Sequence, residues 1–241
     1  MKKLTDVVDG HRVIVSDPPL VERLADQETQ VEFEAVSEFF ARYRETLQID
    51  RRVLIDRFSL VDVARKVVGV GSVGTSCWIL LLESGDGTPL FLQLKQAVSS
   101  VLESHLKVSG FDHAGQRVVE GQQLIQATSD VLLGWATWHR DDEPPIDFYV
   151  RQLWDGKGKL DVEAMGAKRL ASYAGVCGKV LAFAHGRTGD AAMIHGYLGN
   201  DSTFDDVIVE FADRYADRTE ADYRRLKAAI DDGEISAVHD I

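Results

Sequence analysis

The sequence has few of the residues that mark cross-linked or membrane-spanning proteins. Its two cysteines, Cys77 and Cys177, are far apart in a chain of 241 residues, which excludes a disulfide framework and a paired-cysteine metal or redox motif. Both are expected to be buried and reduced. The longest aliphatic block, Trp78 to Leu82, is too short to cross a bilayer, and no apolar run follows Met1. A cytoplasmic protein without a membrane partner is therefore expected.

Positive charge is also scarce. Lys and Arg number 27 against 39 Asp and Glu, a net charge of −12, which opposes binding to nucleic acid. Residues 200–241 hold twelve acids and five bases. This segment is interpreted as a solvated helical face, with a partner-specific acidic arm as the alternative. The hydrophobic fraction of 45% and only five prolines indicate a folded chain with a sizeable core.

The first part of the chain reads as an arm followed by a helix. Asp17-Pro18-Pro19 forbids a helix there, so residues 1–25 are expected to form an irregular or short β arm. Thr29 and Glu32 have capping-box spacing. The apolar residues that follow recur at helical intervals and predict a core-facing stripe: Phe33, Val36, Phe40, Tyr43 and Leu47.

The middle of the chain favours strands. Two apolar runs, 78–82 and 90–94, flank the turn signal Gly85-Asp86-Gly87 and predict a hairpin. A helix is expected over residues 116–128 and a strand around residues 132–138. Pro144-Pro145 is expected to break the chain before another strand at residues 148–153.

The remainder is expected to be helical. Leu170, Tyr173, Cys177, Val180, Leu181 and Ala184 form an apolar stripe that Gly186 is placed to terminate. Further helices are expected to start near Asp190, Thr203 and Thr219. The pattern predicts an α+β protein in three parts: an arm and amphipathic helix (1–58), a β-rich region (59–158) and a helical region (159–241).

One motif has chemical content, the G-x-G-x-x-G pattern of Gly69, Gly71, Ser72 and Gly74. Such glycines let backbone N–H groups approach phosphate oxygens. A dinucleotide-binding loop would need a helix next and an acid about twenty residues on. Here a strand follows, and position 95 is lysine. A glycine loop between strands, followed by a strand lysine, is typical of protein kinases.

Two further residues fit that interpretation. Leu90, Leu92 and Leu94 share one face of a strand, so Lys95 projects from the other. Glu120 lies in the following predicted helix, where a kinase carries the glutamate that restrains the lysine. The structural alternatives are a tight connection, a strand lysine that deters edge pairing and a surface helix acid.

A second cluster, at the predicted end of the long helix, contains His185 and Asp190. A kinase would begin its catalytic loop there, with Asp190 as general base. The alternatives are Asp190 as the N-cap of the next helix and His185 as a charge near a helix C-terminus. No hydrolase or metalloprotease motif is present, and the seven histidines lack metal-ligand spacing.

Several segments resemble the bacterial family called domain of unknown function 2252. These are residues 68–75, 91–97, 116–122, 148–153 and 184–190. The resemblance implies a fold distantly similar to protein kinases and aminoglycoside phosphotransferases. Family members are about twice this length, and their first half carries a G-D-x-H-x-x-N-F-G segment and an acidic segment that this sequence lacks. It therefore implies that this chain is the phosphate-covering C-terminal half, which docks a separate N-terminal half or forms a homo-oligomer.

These observations favour a kinase-like nucleotide-binding portion of a phosphotransferase, incomplete for catalysis. Gly69, Gly71, Ser72 and Gly74 would cover the phosphates of ATP, Lys95 would pair them, and Glu120 would orient Lys95. Magnesium would accompany ATP, but the sequence identifies no metal ligands. The alternative is a non-enzymatic protein-interaction module, in which the glycines only shape a turn. An acyl- or sugar-modifying enzyme is disfavoured because no nucleophile motif is present.

Overall fold

A computed structural model describes residues 4–24, 30–69, 73–106, 110–140, 143–153, 158 and 160–237. The chain divides into two compact units, residues 1–180 and 181–241. Antiparallel sheets and helices make up the described residues, which confirms the α+β class. The three-part division at residues 58 and 158 stays a prediction.

The first unit is built on two antiparallel sheets. β1 (Thr5–Val8) and β2 (His11–Ile14) pair as a hairpin, which confirms the short β arm. Six strands form the larger sheet in the order β3-β4-β5-β6-β8-β7. They are β3 (Val21–Arg23), β4 (Phe58–Lys66), β5 (Cys77–Ser84), β6 (Pro89–Gln96), β7 (Gly134–Arg140) and β8 (Glu143–Gln152).

The larger sheet buries apolar side chains on both faces. One face, called the first face, carries Leu80 and Leu82 of β5, Leu92 and Leu94 of β6, and Phe148 and Val150 of β8. The opposite, second face carries Ile79, Leu81 and Phe91. Side chains alternate between the faces along each strand. The predicted hairpin and the predicted separation of the β6 leucines from Phe91 are confirmed.

Helix α1 (Gln30–Glu45) covers the first face. The ring centroid of Phe39 lies 5.8 Å from those of both Trp138 and Phe148. Of the predicted stripe, Phe33 is 42% exposed, and Phe39 is buried in addition to the other four residues. Thr29 and the Glu32 side chain lie outside the described residues. A short helix α2 (Ile49–Ile55) follows and leads into β4.

Three helices follow the glutamine-rich α3 (Ala114–Ile125): α4 (Ala167–Thr188), α5 (Ala191–Leu198) and α6 (Thr203–Asp231). Two predicted boundaries are wrong. α4 continues past Gly186 for two residues, since a glycine inside a helix costs only about 1 kcal/mol. α6 continues through Thr219, whose hydroxyl donates to the Tyr215 carbonyl instead of capping a new helix.

Two other predictions are also corrected. Pro144-Pro145 lies inside β8, near the irregular register with β7, where the pairing with β6 has not begun. Proline is tolerated there because that part of the strand borders a neighbour on one side only. Cys77 is buried as expected, but Cys177 is exposed on α4.

Candidate functional site

The connection between β4 and β5 carries the predicted glycine motif. Gly69 and Gly74 are described, whereas Gly71 and Ser72 lie outside the described residues. Gly74 has a φ of +80°, in the left-handed region where residues with a Cβ are strained. Adding a Cβ at Gly69 or Gly74 would meet no atom within 4 Å. The turn conformation at Gly74 therefore requires glycine, while packing does not.

Three basic residues of β4, β6 and β8 share the second face of the sheet. Cys77 of β5 pairs in register with Lys95 of β6, and Lys95 pairs with Tyr149 of β8. Lys66 is the last residue of β4, next to the start of β5. It lies two residues after Ala64, a second-face residue, and therefore shares that face. Arg151 lies two residues beyond Tyr149, opposite Gln93.

We call Lys66, Lys95 and Arg151 the cation row. Lys95 occupies the face predicted for it, and its side chain is half-buried. Diagonal neighbours on a sheet face have Cβ atoms about 7 Å apart, which places Lys95 and Arg151 within reach of one small anion. Within the described part of the chain, no ion pair joins Lys66 or Lys95 to a carboxylate at 4.0 Å or less.

Cys77 reports the electrostatics of the row. Its thiol is 3% exposed, and burial raises its pKa above the ordinary value. A hydrogen bond from Gln93 Nε2 to the sulfur at 3.4 Å and the charges of Lys95 and Lys66 act in the opposite direction. The charges of both ammonium groups thus favour the thiolate form of Cys77.

Helix α3 covers the same face of the sheet. Asp147 precedes the first-face residue Phe148 in β8 and so belongs to the second face. Its Oδ2 accepts from the Ala114 N–H at 2.8 Å, and its Oδ1 accepts from the Thr137 hydroxyl at 2.9 Å. The first residue of α3 is therefore fixed to the second face at β8.

The N-terminus of α3 is capped by a histidine. The Nδ1 of His113 accepts from the Gln116 N–H at 3.1 Å, and its Nε2 lies 3.1 Å from Asp147 Oδ1. The Nδ1 atom makes the cap bond, so His113 positions the start of the helix. The first turn of α3 approaches the sheet closely, because a Cβ on Gly115 would collide with the carbonyl oxygen of Phe148.

Glu120 lies on α3, hence on the same side of the sheet as Lys95. Its side chain is half-buried and accepts from Gln116 Nε2 at 2.7 Å. Within the described residues, the Glu120 carboxylate makes no ion pair with the Lys95 ammonium at 4.0 Å or less. The structure thus brings strand and helix to one face without joining the two charges.

The second predicted cluster lies in the other unit of the chain. His185 is in the last turn of α4, and its side chain is exposed. Asp190 caps α5: its Oδ1 accepts from the N–H groups of Ala192 at 2.9 Å and Met193 at 3.0 Å. These bonds are those of a helix N-cap, one of the two interpretations of the sequence.

The sequence analysis did not name Lys66 or Arg151 as site residues. Period-two counting in β4 and β8 gives the face of each side chain, but only the strand order shows that these faces adjoin. Cys77 and Gln93 were missed as neighbours of Lys95 for the same reason. The positioning pair His113 and Asp147 has no sequence signal, since an N-cap histidine is uncommon.

Among the residues that the structure describes, no group of three or more His, Cys, Asp or Glu side chains is arranged to hold a metal ion. No described helix is both long and apolar enough to cross a bilayer.

Comparison with known proteins gives a single kind of match. No curated protein and no solved structure matches the chain. A family model described as an uncharacterized protein conserved in bacteria matches residues 1–229, nearly the whole chain. The chain therefore belongs to the bacterial family called domain of unknown function 2252.

Proposed function

We propose that this protein binds the phosphates of ATP on the second face of its larger sheet. The cation row would hold the phosphate oxygens, and the connection carrying Gly69, Gly71, Ser72 and Gly74 would cover them. The observation that carries the proposal is the half-buried Lys95 beside Lys66 and Arg151 at the base of a glycine-containing connection. Lysine and arginine are the residues that bind phosphate most strongly.

The order of elements supports a kinase-like arrangement. The chain runs from β4 through the glycine connection into β5. It continues into β6, which carries Lys95, and then into α3, which carries Glu120. This is the order of the phosphate-binding parts of protein kinases. We propose that Glu120 exchanges its bond to Gln116 for the Lys95 ammonium when phosphate binds, and so orients the lysine.

The proposal is limited to binding. Phosphoryl transfer depends on positioning and on metal ions that neutralise charge, and Mg²⁺ would supply that neutralisation when it accompanies ATP. The described residues identify no ligand for it, so no residue is assigned to magnesium. Asp190 and His185 keep no catalytic role in the proposal, because the bonds of Asp190 favour its helix-cap interpretation.

Calorimetry with ATP, with and without Mg²⁺, tests the proposal. We expect ATP to bind more tightly than AMP, because the row contacts phosphates rather than the base. Lys95→Ala should weaken ATP at least about tenfold, the value of one charge-assisted hydrogen bond. Lys168→Ala, which removes an exposed lysine from α4, is the control.

Two results would contradict the proposal. One is equal affinity for ATP in the Lys95→Ala and Lys168→Ala variants. The other is the absence of any heat with ATP at millimolar concentration. Glu120→Gln should lower the affinity less than Lys95→Ala does, since Glu120 acts through the lysine.

A second candidate function, a non-enzymatic interaction module, is favoured by a different observation. The second unit exposes large apolar side chains, including Phe183, Met193, Tyr197, Val207 and Phe211, each more than half exposed. Exposed apolar surfaces of this extent mark sites of protein interaction. An interaction module predicts no nucleotide affinity, so the same calorimetry separates the two functions.

A further inference from the structure

A cavity of about 350 Å³ lies in the first unit, apart from the cation row. One wall is the junction of α1 and α2, and the other is the end of α3 with the connection from α3 to β7, residues 126–133. Two buried leucines, Leu47 and Leu133, add apolar surface to the lining. The space equals that of about a dozen water molecules, so it fits one small molecule of about a dozen non-hydrogen atoms.

Hydrogen bonds hold the two walls of this cavity in place. The Tyr43 hydroxyl of α1 donates to the Leu132 carbonyl at 2.6 Å, which joins one wall to the other. Asp130 fixes the connection to the sheet: its Oδ1 accepts from the Leu132 N–H at 2.8 Å, and its Oδ2 accepts from the Gln152 N–H of β8 at 2.7 Å. A ligand therefore meets a preformed cavity, and little ordering of the chain opposes its binding.

Four polar side chains of the lining make no side-chain hydrogen bond to the described part of the chain. They are Gln48, Gln123, Thr128 and Ser129. Amide and hydroxyl groups both donate and accept hydrogen bonds, as the hydroxyl groups of a ligand do. Because the four side chains lie on both walls, they can contact one ligand at several points. This lining therefore favours a ligand with several hydroxyl groups over an apolar one.

Arg51 gives the cavity its positive charge. It is the one cation among the described residues of the lining, and the one acid, Asp130, already accepts two backbone N–H bonds. Arg51 Nε lies 3.5 Å from Asp50 Oδ2, and both side chains are at least 40% exposed. An exposed pair of this kind contributes little to stability, so a ligand carboxylate can replace Asp50. A guanidinium binds a carboxylate through two parallel hydrogen bonds.

We propose that this cavity binds a small hydroxylated carboxylic acid. Its carboxylate pairs with Arg51, its hydroxyl groups bond to the four polar side chains, and its carbon chain packs on the two leucines. Each group of the ligand is thus matched by a group of the lining. Among the described residues of the lining, none belongs to the cation row, so the inference does not depend on ATP binding.

Three probes of equal carbon-chain length test this chemistry: gluconate, sorbitol, which lacks the carboxylate, and hexanoate, which lacks the hydroxyl groups. Each is titrated into the full chain, and the backbone amide signals are followed by NMR. We expect gluconate to shift the amides of residues 127–131 saturably, with an affinity at least about tenfold above that of either analogue. The absence of a saturable shift at about 20 mM gluconate, or equal affinity for sorbitol or hexanoate, would overturn the proposal.

A pair of arginine variants tests the position of the ligand. Arg51→Gln and Arg57→Gln remove the same charge, but Arg57 is exposed and outside the lining. Arg51→Gln should weaken gluconate binding at least about tenfold, whereas Arg57→Gln and Lys95→Ala should leave the affinity unchanged. The amide spectra also show whether each variant is folded. Equal affinities in the two arginine variants would place the carboxylate elsewhere, and a loss in Lys95→Ala would place it on the cation row; either result contradicts the proposal.

Discussion

Both units of this chain contain amphipathic helices, but they bury very different fractions of their apolar side chains. In the first unit both faces of the sheet carry fully buried side chains, from Leu80 and Leu92 to Ile79 and Leu81. In the second unit α5 and α6 have apolar stripes and no buried residue among those described. An amphipathic pattern thus specifies that a helix forms, whereas burial depends on what packs against it.

The largest difference between the units is expected for phenylalanine truncation. Phe148→Ala removes a ring packed between Phe39 and Trp138 and should lower the free energy of unfolding by about 4 kcal/mol. Phe211→Ala removes a ring that is 60% exposed and should lower it by less than about 1 kcal/mol in dilute, monomeric protein. Urea unfolding followed by tryptophan fluorescence measures both. Equal losses would show that the second unit buries Phe211 without a partner.

The buried carboxylate of the first unit gives the next largest effect. Asp62 is 5% exposed and accepts hydrogen bonds from Arg23 Nε at 2.9 Å and from the Ile14 N–H at 2.8 Å. Asp62→Ala leaves both donors without this acceptor and should cost about 3 kcal/mol in urea unfolding. Because these bonds join the N-terminal strands to the sheet, the backbone amides of β1 and β2 should also exchange faster with solvent in this variant. An unchanged exchange rate in β2 would contradict this role.

Alanine substitutions at two glycines of α3 distinguish the effect of close packing from the effect of helix propensity. Gly115→Ala places a methyl group against the Phe148 carbonyl and should lower stability by about 2 kcal/mol. Gly121 has no atom within 4 Å of an added Cβ, so Gly121→Ala should raise stability by about 1 kcal/mol. Thermal unfolding of both variants is the measurement. A stabilised Gly115→Ala variant would mean that α3 does not approach β8 as closely as described.

Alkaline pH should destabilise the first unit through Tyr43. Burial, with a smaller contribution from Asp130, raises its pKa well above the ordinary 10.0, and its hydroxyl donates to the Leu132 carbonyl at 2.6 Å. Below pH 10 the hydroxyl is protonated in both states, so this stability is fully present. Above pH 10 only the unfolded state ionises, and stability should fall by about 1.4 kcal/mol per pH unit from this residue. Tyr43→Phe should remove that dependence; an identical slope in the variant would contradict it.

The smallest effect is expected for an exposed ion pair of the second unit. Arg218 and Asp222 are 2.9 Å apart, but both side chains are more than half exposed. Hydrogen bonding to Asp222 raises the pKa of Arg218, which was already charged at every accessible pH. Asp222→Ala should therefore leave the free energy of unfolding nearly unchanged, in contrast to Asp62→Ala. A loss comparable to that of Asp62→Ala would mean that the pair is buried in solution.

The sequence predicted the faces of single strands better than the neighbours of those strands. Alternation along β6 placed Lys95 opposite the leucines, because side-chain direction is a local property of extended backbone. The cation row required the pairing of β6 with β8, which joins Lys95 to Tyr149 and Gln93 to Arg151 across a long stretch of chain. Such pairings depend on tertiary packing, which no local pattern records.

The predicted ends of two helices were wrong for a related reason. Gly186 and Thr219 have the residue types of a helix stop and a helix start, yet α4 and α6 run through them. Single-residue signals are worth about 1 kcal/mol, and uninterrupted helix propensity on both sides exceeds that. Asp190 shows the converse, since its cap follows a real break at Gly189. The kinase-like assignment itself stays a prediction from the order of motifs.

The most direct measurement of the central claim compares two neighbouring cations of β4. Lys66 shares the second face with Lys95, whereas Arg65 points to the opposite face of the same strand, where it pairs in register with Trp78. We predict that Lys66→Ala weakens ATP binding about tenfold in calorimetry, while Arg65→Ala leaves the affinity unchanged. Equal affinities in the two variants would show that the cation row does not bind the phosphates.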